Sequence, residues 1–352
     1  MSGGTNEAVS TASASPFGFS LAPWLADQRR QLQANPAHAL LLHGPSGLGH
    51  YELALSLAQA WLCEAPQRQP EDAACGHCAS CQQIQARGHT DLIILMPEVL
   101  MLELGWPLPE KAQKEIDEKK RKPSKEIRIE SVRDAVAFAE LTSGRGRGKV
   151  IMAFPAEAMN HASANALLKT LEEPQGDLRF VLATEASHQL LPTIRSRCQA
   201  FALQTPSLLQ AQEWLAGHAP QASQEAREAA LLASGNRPLN ALKLIAFGAY
   251  SVWAKLPKAM QMGQVQAVSG WSGAAVLDVL QKLCHDLWAV KLGAAPRFFA
   301  AQDLPKPPPA RALAAWSEQL KSLAKRIEHP FKTELLLEDM VQQAKLCINS
   351  RL

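Results

Sequence analysis

The chain has 352 residues, enough for two or three domains at the roughly 100–200 residues that a domain usually takes. With 47% hydrophobic and 20% charged residues it has globular composition, which excludes a disordered chain and implies large buried cores. A net charge of +3, from 36 basic and 33 acidic residues, is too small to indicate nucleic-acid binding by itself, so any basic surface must be local.

Residues 1–20 are rich in Ser, Thr, Ala and Gly, carry no Lys or Arg, lack the apolar core of a secretory signal and read as a flexible tail. "HALLL" at 38–42 is a short apolar run of buried-strand type, and Leu53, Leu57 and Trp61 mark one face of a following helix. Between them lies "HGPSGLGHY", residues 43–51. Gly44, Gly47 and Gly49 give it the frame of the phosphate loop G-x-x-x-x-G-K-[ST], but His50 and Tyr51 stand where the lysine and hydroxyl belong.

Cys75, Cys78 and Cys81 form a C-x-x-C-x-x-C run, with Cys63 twelve residues earlier. Two-residue gaps let thiolates converge on one tetrahedral ion, so the four sulfurs predict a closed, structural zinc site with no open coordination position. Iron–sulfur ligation is a competing chemistry, and disulfide pairing is a weaker one in a reducing compartment.

Next come a second strand, "DLIIL" at 91–95, and a charged stretch at 111–128 with eight basic and four acidic residues, read as a solvated, mobile surface loop or, more weakly, as a DNA-facing patch. "ESVRDAVAFAE" has helical spacing. Arg145, Arg147 and Lys149 of "SGRGRGK" are candidates for phosphate contacts or for a simple loop. Strands are expected at "KVIMAF" (149–154) and "RFVLAT" (179–184), with the helix "ANALLKTLEEP" between them, stopped by Pro174. Strands alternating with helices predict an α/β domain built on a mostly parallel sheet.

After about residue 205 the pattern is helical, with Gly235 a stop and further boundaries near 205 and 248. The longest apolar stretch, 274–295, is broken by Asp278, Lys282, His285, Asp286 and Lys291, so no membrane span is expected and the protein reads as soluble and cytoplasmic.

The loop frame, the four-cysteine excursion, "SANALLKTLEEP" at 163–174, "LLPTIRSRCQAF" at 190–201 and "EHPFKTELLLEDM" at 328–340 together resemble the clamp-loader branch of the AAA+ ATPases. The resemblance implies an AAA+ α/β domain at 21–205 with a zinc module at about 63–81, a helical lid at 206–248 and an all-α collar at 249–352. It also implies a place for this chain in a bacterial DNA polymerase III assembly, beside a tau/gamma-like ATPase subunit and a delta-like clamp-opening subunit, acting on the sliding clamp and primed DNA.

In an active member the loop lysine neutralises phosphate charge, the next hydroxyl holds magnesium, and an acidic pair after the third strand serves metal and water. In "MAFPAEAMN" those acidic positions fall on Pro155 and Ala156, with Glu157 one residue out of register, and the lid's sensing arginine falls on Pro238, beside Arg237. The expectation is therefore no ATP hydrolysis in cis and no tightly bound ATP, with weak anion binding by the loop left open. The resemblance assigns Ser196, Arg197 and Cys198 to a motif whose arginine enters a neighbour's ATP site. The alternatives are an active ATPase resembling tau/gamma, or a zinc-dependent nucleic-acid-binding protein for which the sequence offers no aromatic stacking platform.

Overall fold

A computed structural model of the protein describes residues 21–66, 69, 71–248, 250–327 and 333–351. The expected tail at 1–20 and the first part of "EHPFKTELLLEDM" lie outside the described residues. The chain divides into two compact units, the first ending at Thr205 and the second beginning at Pro206.

The first unit runs α1 (Pro23–Gln33), β1 (Ala39–His43), α2 (His50–Leu62), α3 (Ala79–Gln85), β2 (Leu92–Leu95), α4 (Glu98–Glu103), α5 (Glu110–Asp117), α6 (Ile129–Glu140), β3 (Lys149–Ala153), α7 (His161–Glu172), β4 (Leu178–Thr184), α8 (Pro192–Arg195) and β5 (Gln199–Ala202). Among the described residues its five strands form one sheet in the order β2-β3-β4-β1-β5, every pairing parallel.

Parallel strands must bury both faces, which is why these runs are apolar without alternation. Alternate residues of β1 serve opposite layers: Ala39 and Leu41 join Ile151, Phe180 and Leu182 in a core closed by Val132 and Ala135 of α6 and Leu167 and Leu171 of α7. On the other face α2 packs against β3 and β4, with α1 behind it. Among the described residues β5 pairs only with β1 and so forms one edge.

The second unit is helical: α9 (Leu208–His218), α10 (Gln224–Ala233), α11 (Pro238–Ala246), α12 (Tyr250–Trp253), α13 (Leu256–Met262), α14 (Gly273–Lys291), α15 (Ala310–Ala324) and α16 (Thr333–Ile348). It contains one core of Ala211, Leu215, Ala230, Leu231 and Ala241 among α9 to α11, and a larger one built on α13 to α16 that includes Met260, Leu280, Trp316 and Met340. Within α14, the fully buried Asp286 accepts backbone N–H bonds from Arg297, Phe298 and Phe299 at 2.7–2.9 Å, with His285 Nδ1 2.9 Å from Oδ1, so both of its oxygens have hydrogen-bond partners. No helix among the described residues is long and apolar enough to cross a membrane.

Candidate functional site

The loop between β1 and α2 lies at the carboxyl end of the parallel strands, where open α/β sheets place ligands. Gly47 and Gly49 adopt φ of 81° and 99°, a region that side chains avoid, and Gly49 caps α2 in this conformation. Trp24 of α1 fixes the loop from behind by donating Nε1–H to the Leu48 carbonyl at 3.3 Å. The turn between β1 and α2 is thus set by its glycines and held by α1.

His50 is 2% exposed and neither ring nitrogen makes a hydrogen bond. Burial, with His43 adding repulsion, pushes its pKa down to about 4, so at neutral pH it is an uncharged imidazole. Its Nε2 lies 3.4 Å from where a Cβ on Gly44 would sit, which places the ring against the start of the loop. Its Nδ1 is 3.9 Å from Glu185 Oε1, too far for a hydrogen bond.

Tyr51 turns away to be buried, its hydroxyl accepting Nε1–H of Trp106 at 2.6 Å and its ring lying 5.6 Å from that of Phe154. Burial pushes the hydroxyl's pKa up, so it remains protonated. Arg87 stacks over Trp106 at 4.9 Å.

Pro155 and the fully buried Ala156 follow β3, and Glu157 accepts the Glu185 backbone N–H at 3.0 Å, which commits one of its oxygens to the turn after β4. The second carboxylate oxygen of Glu157, Oε2, is buried without a hydrogen bond.

Cys63, Cys75, Cys78 and Cys81 converge, with all four Sγ atoms within 4.8 Å of one another and none in a disulfide. The Cys63–Cys78 and Cys75–Cys81 separations are both 3.9 Å. A tetrahedral zinc with Zn–S bonds of about 2.3 Å spaces its sulfurs by about 3.8 Å, which these two separations match. Backbone N–H groups of Glu64, Cys75, Cys78 and Cys81 approach the sulfurs at 3.3–3.5 Å, the donors that thiolate charge calls for. With four protein sulfurs the role such an ion fills is structural.

The cysteine module is joined to the sheet unit by contacts the motif alone did not reveal. His89 bonds Ser80 Oγ at 2.8 Å, and Arg145 makes a two-point pair with Glu64 that holds its carboxyl down at about 2. Asp91 gathers Ser143, Gly144 and Arg145 at 2.7–2.9 Å. Of the two readings of "SGRGRGK", the geometry favours the simple loop for two of its cations: Arg145 is paired, and Lys149 is buried, its ammonium donating to the Phe138 and Leu141 carbonyls.

The stretch 111–128 likewise differs from a mobile loop. It contains most of α5, and Arg121 is clamped between Glu98 (2.8 Å) and Glu115 (2.7 Å), while Ser124 donates its backbone N–H to Glu98 at 2.8 Å.

Arg197 follows α8 on the surface, its side chain 31% exposed. Nε and Nη2 both meet Glu172 Oε1 at the end of α7, and Nη1 donates to the Thr193 carbonyl at 2.9 Å. Ser196 is exposed and hydrogen-bonds the Thr193 carbonyl, whereas Cys198 turns into the apolar core, where burial raises its thiol to about 12. In the second unit Arg237 precedes α11 with Nε donating to the Ser234 carbonyl at 2.6 Å, and Pro238 is the first residue of that helix.

Residues 25–207 match the family model described as DNA polymerase III, delta subunit. The chain is 39% identical to DNA polymerase III subunit delta' of Pseudomonas aeruginosa over 224 residues, a match covering 63% of this chain and 60% of that protein. It is 32% identical to the subunit of the same name from Escherichia coli K12 over 281 residues, 74% of this chain and 76% of that protein. A shorter similarity, 32% over 166 residues, covers 47% of this chain and 21% of the Escherichia coli K12 subunit tau.

Proposed function

Because the chain belongs to the DNA polymerase III delta-subunit family, we propose that it is a clamp-loader subunit that hydrolyses no ATP itself and serves a neighbouring ATPase subunit. The observation that carries this reading is His50: a neutral imidazole, buried and without hydrogen bonds, occupies the position from which a lysine would reach the β/γ-phosphates. Tyr51, held by Trp106, and Pro155 with Ala156 support it, since each replaces a group that would hold magnesium or orient water. Three separate parts of the hydrolytic apparatus are missing from one α/β unit whose backbone frame is intact. In this reading the loop is an architectural turn that packs α2 against the sheet.

The family resemblance gives Ser196-Arg197-Cys198 the role of a trans-acting finger, and the surface position of Arg197 is compatible with it. Such an arginine stabilises charge developing on the transferred phosphoryl group and is worth roughly 10³–10⁵ in rate in GTPases. The partners are then a tau/gamma-like ATPase and a delta-like subunit, with the sliding clamp and primed DNA reached through the complex. The α9–α11 and α13–α16 cores would be lid and collar. The cysteine cluster would carry structural zinc.

The test of the cis part is nucleotide binding and turnover by the isolated chain. No saturable ATP binding at micromolar nucleotide and no phosphate release are expected, and the double substitution His50→Lys with Tyr51→Thr leaves turnover absent because Pro155 and Ala156 still provide no metal ligand. Turnover by the unaltered chain would overturn the reading in favour of an active ATPase.

A further inference from the structure

The end of α7 and the turn after α8 are joined by one ion pair whose carboxylate has no evident reason to be there for the helix's own sake. Glu172 is the last residue of α7. A carboxylate in a helix's last turn faces the negative end of the helix dipole and is disfavoured by about 0.3–1 kcal/mol. Among the described residues its recorded partner is the Arg197 guanidinium, through Nε and Nη2 to a single oxygen, Oε1. The remaining Arg197 bonds, to the Thr193 carbonyl at 2.9 Å and to Ser196 Oγ at 3.4 Å, both go through Nη1. Nε and Nη2, the edge of the guanidinium fork suited to a two-point oxyanion contact, are the pair that Glu172 occupies.

Both side chains are substantially open to solvent, 31% and 45% exposed. Exposed pairs of this kind contribute only about 0–1 kcal/mol, so a doubly charged phosphate oxyanion displaces the carboxylate at little cost.

We infer that Glu172 is a positioning residue for Arg197: in the unassembled subunit its carboxylate holds the guanidinium as a stand-in for phosphate, and engagement with a partner's nucleotide exchanges one oxyanion for the other. This rests on the reading of Arg197 as an arginine that acts in a neighbouring site. The exchange involves no covalent step. Before engagement Glu172 keeps the guanidinium folded against α7 and α8 rather than extended into solvent, and on engagement it competes with the phosphate. Removing its charge therefore favours the engaged state.

Two measurements separate this inference from the reading beneath it. In the isolated chain, modification of Arg197 by phenylglyoxal, mapped by peptide mass, is expected to accelerate roughly two- to fivefold in Glu172→Gln, the range an exposed ion pair supports. An unchanged rate overturns the inference whatever Arg197 does in the assembly. In the complex with the ATPase and delta-like subunits, Glu172→Gln is expected to lower the KM for ATP by a similar factor with kcat retained. Glu172→Gln combined with Arg197→Ala should then match Arg197→Ala alone. An equal KM shift in the Arg197→Ala background identifies a general charge effect and contradicts the proposal. If Arg197→Ala by itself leaves turnover intact, the trans-acting reading fails, while the modification experiment still decides whether the contact holds Arg197. Because Glu172 opposes the helix dipole, the glutamine variant is expected to fold normally, and a lowered melting temperature would instead mark the pair as structural.

Discussion

His50 stands where a phosphate loop needs a cation, and its environment keeps it from becoming one. Its pKa in the folded chain, about 4, lies below the ordinary 6.5, so the unfolded chain takes up the proton first. The stability that the neutral ring contributes is whole above about pH 6.5 and is lost as pH falls through that value toward 4, by on the order of 3 kcal/mol at most. His89 is also lowered by burial, so the comparison that isolates His50 is with His50→Gln, whose urea-unfolding free energy should fall less steeply than that of the unaltered chain between pH 6.5 and 4. Identical slopes would show that His50 is not buried neutral. Tyr51 offers a second residue-scale check. Tyr51→Phe deprives the buried indole N–H of Trp106 of its acceptor and should cost about 1–3 kcal/mol in the same measurement, with an unchanged midpoint arguing against the contact.

At the scale of elements, what could be read in the sequence was what local pattern encodes. β1, the glycine loop and α2 announce themselves through an apolar run, glycines that need positive φ, and helical spacing, and the cysteine gaps foretold a cluster that the fold brings within 4.8 Å. β5 is not legible because it is a four-residue edge strand, Gln199–Ala202, with mostly exposed residues and an apolar run too short to stand out from the turn before it. α1 was missed because its buried face includes Gln28, Arg29 and Gln33, polar side chains satisfied by hydrogen bonds that no hydropathy pattern displays. The order in 111–128 depends on Glu98, and the seating of Tyr51 on Trp106 spans 55 residues, so both arise from tertiary contacts. The cysteine module is the element most open to test. One zinc per chain is expected by elemental analysis, its removal by a strong chelator should lower the melting temperature, and Cys78→Ala should abolish metal retention. A brown, sulfide-releasing chromophore would assign the sulfurs to an iron–sulfur cluster instead.

Across the whole molecule, the glycine turn after β1, with its buried and neutral His50, stands in the proposed reading against the partly exposed Arg197 after α8. On this account the chain's contribution to ATP hydrolysis is made in another subunit's site, and its own loop serves packing. The measurement that tests this most directly is clamp- and DNA-stimulated ATP hydrolysis by a reconstituted loader, comparing the unaltered subunit with Arg197→Ala after both are shown to assemble equally. Turnover at the site served by Arg197 is expected to fall by at least about a hundredfold, in keeping with the scale of trans-acting arginines. Turnover that is unchanged in an intact assembly would contradict it and leave the chain with a purely architectural role.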